Sequence, residues 1–304
     1  MTRNRMTRSL ICISAALTAS LLACSGATSD DTAAGSSSDA GSTNDAGTTS
    51  DAGSTNDAGT TSDAGTTSDA GSSSDAGTSE DDGGIPAAYL KFISSDAYQS
   101  TVTVSRDGDF MVIDSNAIPN HPSPYFSESD SRYQADTDSG FQKNPNSISV
   151  QTLTFRIPVH PSPSASPAET PLGPMGVSLN GVPFFNQYAA QRATLTTEIY
   201  SFDQYQGHPQ QSGQYHYHIE PLGLTGAPTN LGESALLGFL LDGYPVYGPV
   251  ENGATLTSAD LDAYHGHITA TPDYPEGIYH YHITADTPYI NGDGFYGVAG
   301  TVSQ

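Results

Sequence analysis

The sequence predicts a mainly β domain of the sandwich or barrel-like type, with short helices and a C-terminal part built as an internal tandem duplication. The first observation is a series of short β-type runs, separated by Gly, Pro, Asn and Asp, from residue 85 onward. The second is a set of landmarks that recurs in the same order in the C-terminal half. Roughly 220 residues lie in this predicted domain, 85–304, which is enough for one sizeable core.

Strands are predicted where β-branched and aromatic residues alternate with polar ones, at 89–93, 101–105, 110–114, 147–157, 214–219, 235–241, 278–284 and 295–302. The sequence Arg106-Asp107-Gly108-Asp109 predicts a hairpin turn. Short helices are expected at 187–200 and 258–264, and Thr257 or Ser258 is a suitable N-cap for the second. Prolines cluster at 158–174, which predicts a surface loop.

The first 23 residues have the features of a bacterial lipoprotein signal peptide. Three arginines precede an apolar run at 10–22, which is too short for a permanent membrane-spanning helix. The run ends in Leu-Leu-Ala-Cys24, which resembles a lipobox, whose cysteine carries acyl chains such as palmitate after cleavage. Ser25 after this cysteine predicts an anchor in the outer membrane, on its periplasmic or cell-surface side. The alternative is an ordinary secretory peptide with an incidental cysteine.

Residues 24–84, after the signal peptide, are predicted to be a disordered linker that starts at the lipidated Cys24. Asp-Ala-Gly recurs in it every six residues, with Ser, Thr and Asn between the copies. The segment holds 12 of the 33 acidic residues, no Lys or Arg, and almost no hydrophobic side chain larger than alanine. It cannot bury enough apolar surface to offset its conformational entropy. A β-helix is excluded because alanine cannot fill the interior of such repeats.

Charge and cysteine content limit the partners of the domain. Beyond the linker the chain has 21 acidic and six basic residues, so its domain is expected to repel nucleic acid and to attract cations. Cys12 and Cys24 are the two cysteines of the chain, and both precede the domain, which therefore has no disulfide. Its stability must come from its core and, as one option, from a bound metal ion. No Gly-x-Ser-x-Gly elbow appears, and no Walker or dinucleotide-binding loop stands out.

The duplication covers units at about 179–220 and 241–284. Leu-Asn-Gly-Val-Pro-Phe-Phe at 179–185 is echoed by Leu-Asp-Gly-Tyr-Pro-Val-Tyr at 241–247. Each is followed by an aspartate, Asp203 or Asp262, then by Gly-His and by Tyr-His-Tyr-His-Ile, at 215–219 and 279–283. Two similar units related by approximate two-fold symmetry are expected. The Asn-Gly and Asp-Gly pairs at 180 and 242 predict hairpin turns.

The repeated histidines are the candidate metal ligands. In a strand, His216 and His218 project from one face, roughly 6.5–7 Å apart at their Cα atoms, while the tyrosines project from the other. His208 is the expected third ligand, and the equivalent residues of the second unit are His267, His280 and His282. Each group is expected to converge on one ion, and the two groups are expected to face each other across the two-fold axis.

Copper and zinc both accept imidazole, whereas a thiolate or thioether Cu(I) store is excluded, because Met111 and Met175 lie outside both units and the domain lacks cysteine. The alternative is that Tyr-His-Tyr-His forms ordinary β strands packed by aromatic pairs. Asp203 and Asp262 are expected to be turn residues rather than partners of the histidines. His121, His160 and His265 are weaker candidates; the position of His265 is Gln206 in the first unit.

From Leu179 to the C-terminus the sequence resembles the YHYH-domain family of secreted bacterial proteins. The matching features are Leu-Asn-Gly-Val-Pro at 179–183, Gly-His-Pro at 207–209, the Tyr-His-Tyr-His runs, and Leu-Asp-Gly-Tyr-Pro-Val-Tyr-Gly at 241–248. The resemblance implies this module and does not imply a reaction or a substrate.

The sequence therefore predicts an exported lipoprotein whose YHYH domain binds copper or zinc through histidines. The membrane, through the N-terminal lipid, and a metal ion are the expected partners. Two alternatives stay open: a metal-dependent extracellular enzyme, either a hydrolase or a copper oxidoreductase, and an adhesion or binding module without metal.

Overall fold

The computed structural model describes residues 84–225 and 235–304, together with the backbone of a short strand at 80–81. The predicted signal peptide, Cys24 and nearly all of the Asp-Ala-Gly segment lie outside the described residues. Strand β1 (Glu80–Asp81) pairs with β2 (Ile85–Pro86) in an antiparallel manner. Regular pairing thus begins a few residues before Gly84, where the sequence places the end of the linker.

Strands dominate the described part of the chain, and its helices are short. After β1 and β2 the strands are β3 (Val102–Asp107), β4 (Phe110–Ser115), β5 (Leu153–Pro158), β6 (Gly176–Ser178), β7 (Pro183–Phe184), β8 (Gly207–Pro209), β9 (Tyr215–Tyr217), β10 (Leu236–Leu240), β11 (Pro245–Tyr247), β12 (Val250–Glu251), β13 (Ala254–Thr255), β14 (Gly266–Thr271), β15 (Tyr274–His282) and β16 (Thr301–Ser303). The helices are α1 (Leu222–Thr225) and 3-10 helices at Ala87–Lys91, Asp96–Tyr98, Ala190–Arg192, Glu198–Ser201 and Ser258–Asp260. In these ranges, none of the helices has the length and apolar character needed to cross a bilayer.

The smaller sheet has four antiparallel strands in the order β16-β5-β4-β3. Alternate residues of its central strands are buried, including Met111, Ile113 and Phe155, while their neighbours are partly exposed. One face of this sheet therefore covers the core, as a period of two predicts. The predicted hairpin turn is present, with Gly108 and Asp109 between β3 and β4.

The larger sheet has eight strands in the order β14-β15-β11-β10-β6-β7-β9-β8, and this order is symmetric about its centre. The antiparallel pair β6–β10 forms the centre. Outward from it, β7 pairs in parallel with β9 as β11 does with β15, and the outer pairs β8–β9 and β14–β15 are antiparallel. The two halves of this sheet are the two repeat units of the sequence, related by approximate two-fold symmetry.

The two sheets enclose one hydrophobic core, which makes the fold sandwich-like. Phe155 of β5 and Phe239 of β10 belong to the same buried cluster, as do the tyrosines of β9 and β15. The Asn180-Gly181 turn lies at one end of the smaller sheet, where the Ser115 hydroxyl donates to the Gly181 carbonyl at 2.7 Å. The equivalent Asp242-Gly243 turn contacts Pro158, at the opposite end of that sheet.

Several predicted elements differ from those observed. Residues 89–93 are not a strand; a 3-10 helix begins at Ala87, after Pro86, and places the Tyr89 ring 4.0 Å from that of Phe239. Strands β5 and β16 begin only at Leu153 and Thr301, because the residues before them bond to other segments, as Gly297 does in an isolated bridge with Pro163. The predicted helix at 187–200 is two separate 3-10 helices. Thr257 is confirmed as the N-cap, in a capping box with Asp260.

Candidate metal centres

The first cluster, here called the N-terminal cluster, consists of His208, His216 and His218. Antiparallel pairing of β8 and β9 places His208 directly opposite His216, and His218 follows two residues later on the same face. The Nε2 atom of His216 lies 3.0 Å from the Nε2 atoms of both His208 and His218. All three side chains are buried.

The opposite nitrogen of each imidazole is held by an acceptor. His216 Nδ1 lies 3.1 Å from the Gln214 carbonyl, and His218 Nδ1 lies 2.5 Å from the Asn186 carbonyl. His208 Nδ1 lies 2.7 Å from the Ser201 hydroxyl, which itself donates to the carbonyl of Glu198. Since carbonyls only accept, and the Ser201 hydrogen is already donated, each Nδ1 carries the proton. The Asn144 amide nitrogen lies 3.4 Å from His208 Nδ1 and donates instead to the Pro209 carbonyl at 3.0 Å. Each neutral imidazole therefore presents an unprotonated Nε2.

Burial keeps these imidazoles uncharged. It lowers the pKa of His218 to about 4 and lowers those of His208 and His216 well below the usual value. Three Nε2 lone pairs therefore converge in a buried space with no proton between them. A metal ion that accepts imidazole nitrogen satisfies such an arrangement, and acceptors at the second nitrogen are typical of metal-bound histidines.

The second cluster, here called the C-terminal cluster, consists of Glu251, His267, His280 and His282. Strand pairing places His267 opposite His280, as in the first unit. His267 Nε2 lies 3.2 Å from His280 Nε2 and 3.1 Å from His282 Nε2. One ligand atom from each of the four residues lies within 4.8 Å of the others.

Two of the three acceptors behind the N-terminal cluster are duplicated in the C-terminal cluster. His280 Nδ1 lies 2.9 Å from the carbonyl of Ile278, two residues before it, as His216 does with Gln214. His282 Nδ1 lies 2.8 Å from the carbonyl of Gly248, whose place in the first unit is that of Asn186. Burial again lowers the pKa of His280 and His282 to about 4. The repeat thus preserves the orientation of the ligands as well as their identity.

Glu251 distinguishes the second cluster from the first. Its Oε1 lies 3.3 Å from His267 Nε2 and 3.8 Å from His280 Nε2, and it accepts a 2.6 Å hydrogen bond from Thr269. Burial alone would raise the pKa of Glu251, but the Thr269 hydroxyl and the three imidazoles hold it below the usual value. Three nitrogens and one carboxylate oxygen are a ligand set that zinc accepts in a tetrahedral site.

The N-terminal cluster instead borders a cavity of about 160 Å³, lined by Phe185, Asn186, Ala189, Glu198, His216 and His218 among others. Glu198 Oε1 lies 3.5 Å from His208 Nε2, but it is not one of the atoms that lie within 4.8 Å of one another in this cluster. Burial raises the pKa of Glu198. The cluster therefore has three nitrogens, an adjacent open space and an acid at the edge of that space.

The tyrosines of the motif lie on the opposite face, in the core, as predicted. The Tyr215 hydroxyl donates to Asp203 at 2.8 Å, and the Tyr279 hydroxyl donates to Asp262 at 2.9 Å. Both aspartates also accept from backbone N–H groups of their own turns. They are turn residues that bind tyrosine, and neither belongs to a group of candidate ligands.

The glycine of each Gly-His pair makes room for that tyrosine. A Cβ at Gly207 would lie 2.5 Å from the ring of Tyr215, and a Cβ at Gly266 would lie 2.5 Å from the hydroxyl of Tyr279. Any larger residue would push the two strands apart. The opposed histidines that follow these glycines depend on the same close approach.

The remaining histidines do not join either cluster. His121 is buried and its Nε2 lies 2.9 Å from the Tyr217 hydroxyl, and His265 Nε2 lies 3.0 Å from Thr284 Oγ1. His160 is exposed in a loop. The six histidines predicted as ligands are thus brought together in two groups of three.

The expected arrangement of the two groups was wrong in one respect, because they do not face each other across the two-fold axis. Four strands, β7, β6, β10 and β11, lie between the outer pairs that carry the two clusters. The two clusters are therefore separate sites. Sequence reasoning also missed Glu251 and Glu198, since neither acid has a counterpart in the other unit that would have drawn attention to it.

A sequence profile of the family described as YHYH protein matches residues 154–255 and 250–293. The match includes both Tyr-His-Tyr-His strands and both clusters. Residues 154–293 therefore form a YHYH domain. This domain begins upstream of Leu179, where the resemblance in the sequence was recognised, and takes in β5 of the smaller sheet. Searches of curated proteins and of solved structures gave no match.

Proposed function

We propose that this YHYH-domain protein is an exported, lipid-anchored protein that binds two transition-metal ions, copper or zinc, one at each histidine cluster. The observation that carries the proposal is the N-terminal cluster, where three Nε2 atoms meet at 3.0 Å while every Nδ1 is occupied by an acceptor. Three converging lone pairs without a partner would destabilise a packed core, because unpaired polar atoms cost stability when they are buried.

The ligand chemistry favours copper or zinc over other common metals. Calcium and magnesium prefer six or more oxygen ligands, and the N-terminal cluster offers three nitrogens. Both clusters have the donor types that zinc and Cu(II) accept, and the described residues contain no cysteine that would favour Cu(I). The anchor rests on the sequence alone, on the arginines, the apolar run and Cys24 at the N-terminus.

Metal content measured on untagged protein, purified from the periplasm or membrane without added metal, tests the metal part of the proposal. Two ions of copper or zinc per chain are expected. His216→Phe is expected to retain one ion, held by the C-terminal cluster, and His280→Phe one ion, held by the N-terminal cluster. His265→Gln is the matched control, because glutamine already occupies the equivalent position, Gln206, with a similar backbone angle. A wild-type chain that takes up neither metal would contradict the proposal.

Labelling with a radioactive fatty acid tests the anchor. The wild-type protein is expected to incorporate the label and to fractionate with the outer membrane, and Cys24→Ser is expected to do neither. An unlabelled wild-type protein would contradict the lipoprotein assignment and would leave the metal sites unaffected.

A metal-dependent enzyme is the second candidate function, and the cavity beside the N-terminal cluster favours it. Catalytic zinc sites keep three protein ligands and an open position, with a nearby acid that handles the bound water. The N-terminal cluster has three imidazoles, an adjacent space of about 160 Å³ and Glu198. Loss of a measured activity in His216→Phe, with full activity in His280→Phe, would support this candidate.

A further inference from the structure

Each repeat unit has one equivalent position that faces its own cluster, and the residue at that position differs between the two units. Counting from the shared acceptor carbonyls, Glu251 follows Gly248 by three residues, and Ala189 follows Asn186 by three. The backbone supports this equivalence, because a hairpin begins at the same place in each unit. Val250 pairs with Thr255 in β12–β13, and Tyr188 forms an isolated bridge with Thr194.

A methyl group therefore stands where the second unit has a carboxylate ligand. Ala189 lines the cavity of about 160 Å³ that His216 and His218 also line. In the C-terminal cluster the corresponding space is taken by the Glu251 side chain, fixed by Thr269. Glu198, which approaches His208 from a 3-10 helix, does not fill the same place, because its carboxylate is not within 4.8 Å of all three imidazole nitrogens.

We propose that the N-terminal cluster holds its metal ion with one coordination position open to this cavity, where a small exogenous donor molecule binds, while Glu251 closes the C-terminal site. This inference rests on the proposed metal-binding function. The ligand is a small anion or neutral oxygen or nitrogen donor of a few heavy atoms. The cavity is well below the roughly 300–1,000 Å³ typical of sites for drug-sized molecules.

Azide is a suitable probe, because it is small, anionic and gives a charge-transfer absorption band when it binds Cu(II). The full-length protein is loaded with two Cu(II) ions, and azide is titrated in while the band is recorded. We expect one azide per chain in the wild type. His280→Phe is expected to keep the band, and His216→Phe is expected to lose it.

A reciprocal pair of substitutions tests the role assigned to position 189. Ala189→Glu supplies the missing carboxylate to the N-terminal site, so azide binding is expected to fall at least tenfold while two copper ions stay bound. Glu251→Ala opens the C-terminal site, and the chain is expected to bind two azide ions. If Ala189→Glu fails to fold, Glu251→Ala still decides, since its azide count must rise from one to two.

The outcomes separate this inference from the function on which it rests. With two copper ions bound, three results would overturn the open position alone: no azide in the wild type, two azides in the wild type, or an azide count that stays at one in Glu251→Ala. A protein that binds no copper and no zinc would overturn the proposed function and this inference with it. An azide band that is lost in His280→Phe and kept in His216→Phe would place the open position at the C-terminal cluster and would also overturn the inference.

Discussion

Metal binding at two separate clusters should appear as two separate contributions to thermal stability. The perturbation is His216→Phe, which removes one ligand but keeps an aromatic ring in a buried site where the Phe185 ring stacks at 3.9 Å. The variant is expected to fold, because the larger ring costs about 1–3 kcal/mol by overpacking, less than the roughly 5–15 kcal/mol stability of a typical domain. It is expected to lose the metal of the N-terminal cluster alone, since the C-terminal cluster has its own four ligands.

The magnitude follows from mass action. A ligand at one hundred times its Kd stabilises the folded state by about 2.7 kcal/mol per site. In a domain of this size about 1 kcal/mol shifts Tm by roughly 2–4 °C, so each site contributes about 5–11 °C. Five strand spacings, or roughly 24 Å along the sheet, separate β9 from β15. The two contributions should therefore add.

Differential scanning calorimetry in excess zinc and in EDTA measures the effect. The wild type is expected to gain about twice as much in Tm as His216→Phe or His280→Phe, and the double variant is expected to gain nothing. His265→Gln should match the wild type. If His216→Phe alone removed the whole gain, the clusters would be one coupled site. If it removed none, the N-terminal cluster would not bind metal.

Three further predictions follow from other contacts. Thr269→Val removes the hydrogen bond that fixes Glu251, so zinc affinity at the C-terminal cluster should fall about 10–100-fold in a chelator competition, while the N-terminal affinity is unchanged. Lowering the pH from about 6.5 to about 4 in EDTA should lower the free energy of unfolding, because burial lowers the pKa of His121 to about 4 and the unfolded chain then binds a proton that the folded chain rejects. Burial raises the pKa of Asp203 to about 7, so this carboxyl binds its proton more readily in the folded chain and acts in the opposite direction. Asp203→Asn should therefore make the free energy of unfolding, measured in urea titrations, fall more steeply as the pH is lowered. A shallower fall would contradict this sign. Gly238→Ala places a Cβ 2.2 Å from the Val177 carbonyl at the β6–β10 pair and should lower the free energy of unfolding by several kcal/mol in denaturant titrations, and a neutral result would refute the close approach.

Much of the candidate site could be predicted from the order of residues because it depends on local rules. A strand alternates its side chains, so His216 and His218 share a face and the tyrosines share the other. Duplication implied a second group with the same pattern. Gly-His before each strand pointed to the third ligand, and the close tyrosine contact at Gly207 now gives the steric reason for that pair.

Other features of the fold could not be predicted because they depend on partners distant in the sequence. Residues 89–93 satisfy the pattern of a strand, but the chain forms a 3-10 helix at Ala87–Lys91, from which the Tyr89 ring packs on Phe239. The pattern of a strand describes a side-chain period, and pairing requires a second strand at the correct distance.

The sequence by itself determined which histidines act together, since neighbours two residues apart on a paired strand are held by backbone geometry alone. The tertiary structure decided how many sites there are and what completes each of them. The central strands of the two units separate the clusters, and a hairpin beyond β11 brings Glu251 to one cluster while its equivalent brings Ala189 to the other. A side chain from a different segment reaches a site only through the packing of the whole domain. The alternation of side chains along one strand does not depend on that packing and so cannot predict it.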